Sequence, residues 1–398
     1  MASGNVTETY YNHHDPEVAQ DPYAIFAEVR GRCPLGHSPA LGGFYFPTTF
    51  DGVKRVFSDY NHFTSTGGTG LPDQVIRLLP IDLDPPRHTR WRRILNKFFT
   101  VEAAEADRGR IQRIVDGLID QFIARGAADL VGELTRPMLA LTTLPIIGVP
   151  TEDRLMLSEK LLWMVHNRML DHEGWLRRYG EMSDYLTSLV ARRRTEPPKD
   201  DLVRCLIEQE FEGRQLDDFE GYQVLMLTLF GALDSTASAM SGSLYHLAQK
   251  PADKDRLLSG ETPWEGAIEE FLRITSPIQA LKRTVAVPTE IDGALLEPGD
   301  VVLAVNGAGN RDPAKFPQPD KCVIDRDARD HLAFGSGAHV CIGRHFARVM
   351  MRCCLETMLR RAPDFVVPGD FTPDYTPSEA RALKTLPVTF SPGAPLGA

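Results

Sequence analysis

The 398-residue chain is poor in cysteine, with six (Cys33, Cys205, Cys322, Cys341, Cys353 and Cys354), and none falls into a paired spacing. That pattern argues against a disulfide framework and an iron–sulfur spacing, so reduced thiols are expected. Positive charge is short as well: 44 Lys and Arg against 54 Asp and Glu leave a formal charge of −10. No nucleic-acid partner is expected, because gripping a phosphate backbone relies on clustered cations. The longest apolar stretches, such as the one from Val224 to Leu233, stop well short of the roughly 20 residues of a membrane span. The opening residues MASGNVTETYYNHHDPEVAQDPY are polar and acidic, without the basic start and apolar core of a leader. A cytoplasmic monomer with no membrane partner is the expectation. Flexible linkers, repeats and low-complexity tracts are missing too, so residues 21–398 read as one large domain behind a polar extension over residues 1–20.

What the chain does have is helical periodicity. Pro22 to Arg32, His88 to Phe99, Val101 to Gly126, Glu152 to Arg168, Glu173 to Thr195, Asp217 to Lys250 and Trp264 to Thr275 all carry it. Strand-like runs are few and short, at GFYFPT, KRTVAVPTEI, DVVLAV and LPVTF, each bounded by Gly, Pro or Asp. The fold class is therefore mainly α, a helical core with small marginal β-sheets. The stretch from Asp217 to Lys250 is apolar nearly all round in its middle and should cross the interior. Between Gly307 and His339 the sequence turns to NRDP, FPQPD and RDARDH, an aperiodic passage that reads as an ordered, meandering loop.

The segment HLAFGSGAHVCIGRHFARVMMRCC places glycines at 335, 337 and 343 around Cys341, and a helical run follows at once. A thiolate just ahead of a helix gains from the positive end of the helix dipole and from backbone N–H donors. Gly343 leaves the backbone free to approach a flat ligand, and Phe334 would cover the sulfur. Taken alone, a cysteine in such a place is a small buried residue. Phe334, Gly337, Cys341 and Gly343 together fit F-x-x-G-x-x-x-C-x-G, and here the chain resembles the haem-binding loop of the cytochrome P-450 family, soluble bacterial type. The resemblance runs from about Asp21 to the C-terminal strand. It implies the single-domain fold of that family, with haem between the long central helix and the helix after the cysteine loop.

Other landmarks follow in the family's order. EEFLR sets Glu270 and Arg273 at i, i+3, which matches the family's E-x-x-R pair, with Arg326 as candidate third member; Cys322 stands where the family has an aromatic residue. His88 and Arg92 lie at i, i+4 on one helix face, and with Arg283 and His339 they match positions that bind the haem propionates. In LFGALDSTAS, Gly231 and Ala232 precede Asp234, Ser235 and Thr236, resembling the segment that admits dioxygen beside the iron and relays protons. Burying Asp234 and Ser235 in the most apolar part of a helix is costly unless they have partners or work. Ser235 stands at the family's threonine, losing the methyl that fixes the rotamer. It could also bond back to the carbonyl of Gly231 and bend the helix.

What the resemblance implies is a haem-thiolate monooxygenase. Cys341 would be the iron ligand, Asp234, Ser235 and Thr236 the catalytic residues, and Gly231, Ala232, Phe334, Gly335 and Gly343 further parts of the cofactor site. The cofactor would be haem b, iron protoporphyrin IX, with O2 as co-substrate. No nicotinamide or flavin motif is fused to the chain, so electrons would come from a ferredoxin with an NAD(P)H-dependent reductase. Arg87, Arg90, Arg93 and Lys97, with Arg344, Arg348 and Arg352, are the candidate basic docking face. A small lipophilic substrate would meet Phe63, Leu79, Leu227, Phe230, Leu233, Ile278, Gln279, Ala280, Leu281 and Ala380, with Gln279 and Arg381 the polar anchors to watch. Two alternatives stay open: a haem-thiolate enzyme that uses peroxide or couples its substrate, and a non-enzymatic haem sensor.

Overall fold

The structure is a computed structural model and describes residues 6–397. These divide into two compact units, each drawn from several stretches of chain: residues 6–91, 262–342 and 375–381 form the first, and residues 92–261, 343–374 and 382–397 the second.

The first unit is built on a six-stranded sheet in the order Thr7–Glu8, Leu35–Ser38, Phe44–Pro47, Val301–Val305, Ala280–Val285, Phe63–Thr64. Its central pair, Val301–Val305 against Ala280–Val285, is antiparallel with Val302 opposite Arg283. Side chains on a strand alternate between faces. Accordingly, Val302 and Ala304 join one apolar cluster with Val53 and Phe57, while Leu303 and Val305 join another with Tyr11, Phe26 and Phe44. A strand buried on both faces reads as an unbroken apolar run, and VVLAV is one. The helix Phe50–Ser58 starts where Thr49 Oγ1 accepts the Gly52 N–H at 3.1 Å, and it buries Val53, Val56 and Phe57 on one side. Thr7 and Glu8 pair in parallel with Gly36 and His37, and Tyr11 is fully buried. The described part of the polar extension is thus packed into the first unit; residues 1–5 lie outside the described residues.

The second unit is helical, with short sheets such as Ala127–Asp129 against Pro387–Thr389. Asp217 starts its central helix through a capping box. It accepts the Glu220 N–H at 2.8 Å while Glu220 accepts the Asp217 N–H at 3.2 Å. The expected single helix from Asp217 to Lys250 is broken at Asp234 into Asp218–Leu233 and Ser235–Gln249, because Asp234 takes φ −118°, ψ −46° between them. By length and composition Asp218–Gln249 is apolar enough to cross a membrane, contrary to the expectation of short runs only. The deciding window is 67% buried inside the protein, however, as in a core helix. The expected helix from Val101 to Gly126 divides at Asp107 into Val101–Ala106 and Arg108–Asp120. The helix Arg344–Arg361 begins three residues after Cys341 and packs on Arg108–Asp120 and Ser235–Gln249.

Candidate active site

The meander is held by a fully buried ion pair. Glu270 and Arg273, one turn apart on Trp264–Thr275, are both at 0% exposure, with Arg273 Nε donating to Glu270 Oε2 at 2.7 Å and Nη2 to Oε1 at 2.8 Å. Arg273 also donates to the carbonyls of Asn310, Pro319 and Lys321 at 2.7 to 3.0 Å. Glu270 Oε1 accepts the Val323 N–H at 2.7 Å and Arg326 Nε at 3.2 Å, and Arg326 caps the Pro317 carbonyl at 2.6 Å. Buried charges demand such complete pairing. The meander carries almost no apolar pattern and is shaped by this polar cluster instead. Closer to the cysteine, Asn310 Oδ1 accepts the Leu332 N–H at 2.6 Å and Asn306 Nδ2 donates to the Leu332 carbonyl at 2.7 Å. His331 Nδ1 accepts the Ala333 N–H at 3.1 Å, which leaves the proton on Nε2, 3.1 Å from Glu269 Oε2.

Beyond Ala333 the chain makes the cysteine loop. Gly335 and Gly337 adopt φ of +70° and +71°, the left-handed region, and the Cys341 N–H closes the loop on the Phe334 carbonyl at 2.9 Å. Gly337 is also pressed against the helix Phe50–Ser58: a Cβ there would come within 2.7 Å of Ser58 Cα. Phe334 to Ser336 and Ala338 to Gly343 are all half-buried. Gly343 has φ −80°, so backbone conformation does not require glycine at that position.

Around this loop the first unit gathers three of the four expected cationic residues. Arg283 is 1% exposed; its Nη1 donates to the Lys282 carbonyl at 2.8 Å and its Nη2 has no partner. Burial pushes its guanidinium down to about 10, against the nearby carboxylates of Asp84 and Asp82, which favour the charge. It stands 5.8 Å from the centre of the Phe57 ring, the same ring that faces Gly335. His88 is buried and lies against His339, ring centres 4.0 Å apart and planes tilted by 36°. His339 Nε2 lies 3.4 Å from Ser65 Oγ, and Ser65 N–H donates to Asp84 at 3.0 Å. Asp84 thus accepts from Ser65, next to the histidine pair, and also favours the charge of the arginine. Arg92, the fourth, follows His88 by one turn on Arg87–Asn96 and is half-buried. Phe57, Ser58, Ser65 and Asp84 carried no signal in the sequence, being ordinary core or loop residues until the fold seats them here.

In the second unit, Asp234 is 2% exposed at the helix break. His166, near the end of Arg154–Asn167, brings Nε2 to 3.1 Å from Asp234 Oδ2, while Oδ1 is buried without a partner. Sequence reading missed His166, 68 residues away on an otherwise unremarkable helix. Ser235 Oγ donates to the Gly231 carbonyl at 3.3 Å, and Thr236 is half-buried beside it. A Cβ on Gly231 would meet nothing within 4 Å.

Of the expected pocket residues, Phe63 belongs to the apolar cluster with Val53 and Phe57, and Leu79 is 8% exposed. Ile278 bridges Ala380, and the Gln279 N–H donates to the Glu379 carbonyl at 2.7 Å, so the two expected segments run side by side ahead of Ala280 and Leu281. Arg381 faces elsewhere. It donates to the Ala19 and Gln20 carbonyls at 2.7 and 2.8 Å and lies 3.4 Å over the Tyr375 ring. Leu227, Phe230 and Ala232 are half-buried, and Leu233 is buried. Arg87, Arg90, Arg93 and Lys97 are exposed; Arg344, Arg348 and Arg352 form a half-buried stripe in which Arg352 pairs with Glu356.

The family model described as cytochrome P-450 matches residues 264–386, the span from the Glu270 helix through the cysteine loop. The cytochrome P-450 monooxygenase PikC of Streptomyces venezuelae is 30% identical over 394 residues, covering 96% of this chain and 94% of the relative. The chain belongs to the cytochrome P-450 family. Nocardicin C N-oxygenase of Nocardia uniformis is 32% identical, over 96% of this chain and 98% of its own. Among solved structures, this P-450 resembles CYP109E1 from Bacillus megaterium in complex with testosterone, with a TM-score of 0.86 at 28% identity, covering 95% of this chain and 100% of that one. The fold is the cytochrome P-450 fold, and the protein is a P-450 monooxygenase. The residues fit the family's haem. Arg283 is a fully buried guanidinium with an unpartnered Nη2, which calls for an anion, and a porphyrin propionate is one.

Proposed function

We propose that this P-450 inserts one atom of O2 into a C–H bond of a small lipophilic substrate, using haem b and electrons from a separate ferredoxin and its NAD(P)H-dependent reductase. The observation that carries the reading is the cysteine loop: two left-handed glycines, one jammed against Ser58, present Cys341 immediately ahead of a long helix. Cys341 would hold the iron as thiolate. Arg283, His88, Arg92 and His339 would hold the propionates, with Phe334, Gly335 and Gly343 around the ring. Haem held by that thiolate would supply dioxygen activation and O–O cleavage.

The protein's own part is to hold the group and deliver protons. Asp234 is the proton carrier in this reading: His166 fixes Oδ2, which leaves the buried Oδ1 as the position where a proton is taken up and passed on. Ser235 is the next donor. Its hydroxyl rests on the Gly231 carbonyl and must swing away to pass a proton, which a side chain without a γ-methyl does readily. Thr236 stands beside it, and Gly231 and Ala232 keep the helix slim there. Leu79, Leu227, Phe230, Leu233, Ile278, Gln279, Ala280 and Ala380 remain the candidate substrate contacts. Phe63 would act from behind them, as part of the core. Residues 21–398, with the described part of the extension packed onto them, would work as one catalytic domain in a cytoplasmic monomer, and Arg87, Arg90, Arg93, Arg344 and Arg348 would dock the ferredoxin.

The test is the reduced-plus-carbon-monoxide difference spectrum of the purified protein. A strongly red-shifted Soret band, lost in Cys341→Ala, is expected. Haem binding without that band would remove Cys341 as ligand. Turnover with peroxide alone, and none with ferredoxin, reductase and NAD(P)H, would replace the dioxygen reading with the peroxide one.

A further inference from the structure

A second set of side chains, within the first unit, has the makings of a ligand site. His13 and His14 occupy a turn closed by the Asp15 N–H on the Asn12 carbonyl at 2.9 Å, and their rings lie 4.2 Å apart. Both are buried, at 3% and 5% exposure, whereas the Glu379 side chain is 24% exposed and opens the cluster to solvent. One ligand atom from each of the three falls within 4.8 Å of the others. His14 Nε2 is 3.7 Å from Glu379 Oε1 and 3.0 Å from the Leu71 carbonyl oxygen. Two ligands sharing a tetrahedral ion at bond lengths of about 2.1 Å stand roughly 3.4 Å apart. The two distances at His14 bracket that edge, and the ligand atom of His13 lies within 4.8 Å of the others, a small movement from it.

From this geometry we infer that His13, His14 and Glu379 bind one divalent first-row transition metal ion, with zinc as the reference ion. Two imidazoles and a carboxylate are a borderline donor set, which selects zinc, nickel or copper over calcium or magnesium. The fourth position goes to water or to the Leu71 carbonyl. Ligation through Nε2 requires the His14 proton to sit on Nδ1, so the bond to Leu71 is exchanged for the metal bond. The backbone is already set on all sides. Asn12 Oδ1 accepts the His14 N–H at 3.0 Å, and Glu379 is fixed by its carbonyl on the Gln279 N–H. The Leu71 loop is organised by Asp82, which accepts from Thr69 Oγ1 and the Leu78 N–H at 2.8 and 2.7 Å. Three stretches remote in sequence would be clipped together, so the ion should stabilise the folded protein as any ligand of the native state does.

Equilibrium dialysis of the chelator-treated holoprotein against micromolar zinc chloride, followed by metal analysis, tests the inference, with thermal melting in parallel. One zinc per chain and a rise in Tm with zinc are expected. Both should be lost in Glu379→Gln, whose side chain is partly exposed and can be replaced without disturbing a core, and in His13→Gln. Wild-type protein that binds no zinc would overturn the inference. So would zinc retained at full stoichiometry in a folded Glu379→Gln, which would place the metal on thiols, or a salt bridge between His14 and Glu379 that raises Tm with no metal bound.

Discussion

Replacing Arg283 with methionine should move the haem-free and haem-bound proteins in opposite directions. The guanidinium is buried with one nitrogen unpartnered, and burial pulls its pKa from 12.5 to about 10. That shift corresponds to about 3 kcal/mol spent on keeping the charge out of water. The sign follows from linkage: a base with a lowered folded pKa costs stability at every pH below about 10, and the cost fades as pH rises through that value. At neutral pH the full cost is present. Methionine removes it and gives up the bond to the Lys282 carbonyl, worth about 1 kcal/mol, so apoprotein should gain about 2 kcal/mol in urea unfolding. With haem bound, the same change leaves a propionate without its buried partner. If the pair recovers about 3 kcal/mol, haem loss to an acceptor such as apomyoglobin should speed up about 100-fold. Apoprotein that loses stability, or a haem-loss rate that does not change, would show that Arg283 is no anion site.

Glu270→Ala leaves the buried Arg273 guanidinium unpaired and should cost about 3–5 kcal/mol, read from the urea midpoint; a loss below about 1 kcal/mol would mean the clamp is not what holds the meander. Ser235→Thr restores a β-branched alcohol and should lower hydrogen peroxide formed per NAD(P)H oxidised, so an unchanged yield counts against a proton role for Ser235. Joint replacement of Arg344 and Arg348 by Glu should slow reduction by ferredoxin and flatten its salt dependence, whereas Arg352→Ala, already neutralised by Glu356, should do little. Unaltered kinetics in the double variant would move the docking face elsewhere.

The cysteine loop and the Glu270–Arg273 pair were legible because each is local: the glycines that the backbone needs and the pair one turn apart sit within a few residues of one another. The helix Pro22–Arg32 was legible for a similar reason, being capped by Asp21, opened by a proline at its first position and followed by an extended Cys33. Two features missed in the sequence have long-range causes. The break at Asp234 lies in the middle of an apolar run whose periodicity continues on both sides, and only His166, brought from another helix, reveals that the carboxylate has a partner. Phe50–Ser58 has a single turn or two of pattern between strands, so its role as the seat of Gly337 appears only once Ser58 is packed there. His88, Arg283 and His339 come from distant segments, and their gathering near Ser65 and Asp84 depends on tertiary packing.

The way the two units share the polypeptide has a consequence for biosynthesis. Each is assembled from three separate stretches, and the first awaits residues 375–381 while the second awaits residues 382–397. Neither can finish before residues 375–397 have emerged from the ribosome. A strip of each unit must then stay uncovered until those stretches emerge, an exposure in which long chains aggregate. Slower synthesis would lengthen that exposure without helping either unit close, and a fragment ending before residue 375 would lack a strip of both. Expression yield should therefore respond to chaperone supply and lowered temperature more than to codon-level pauses placed between the units.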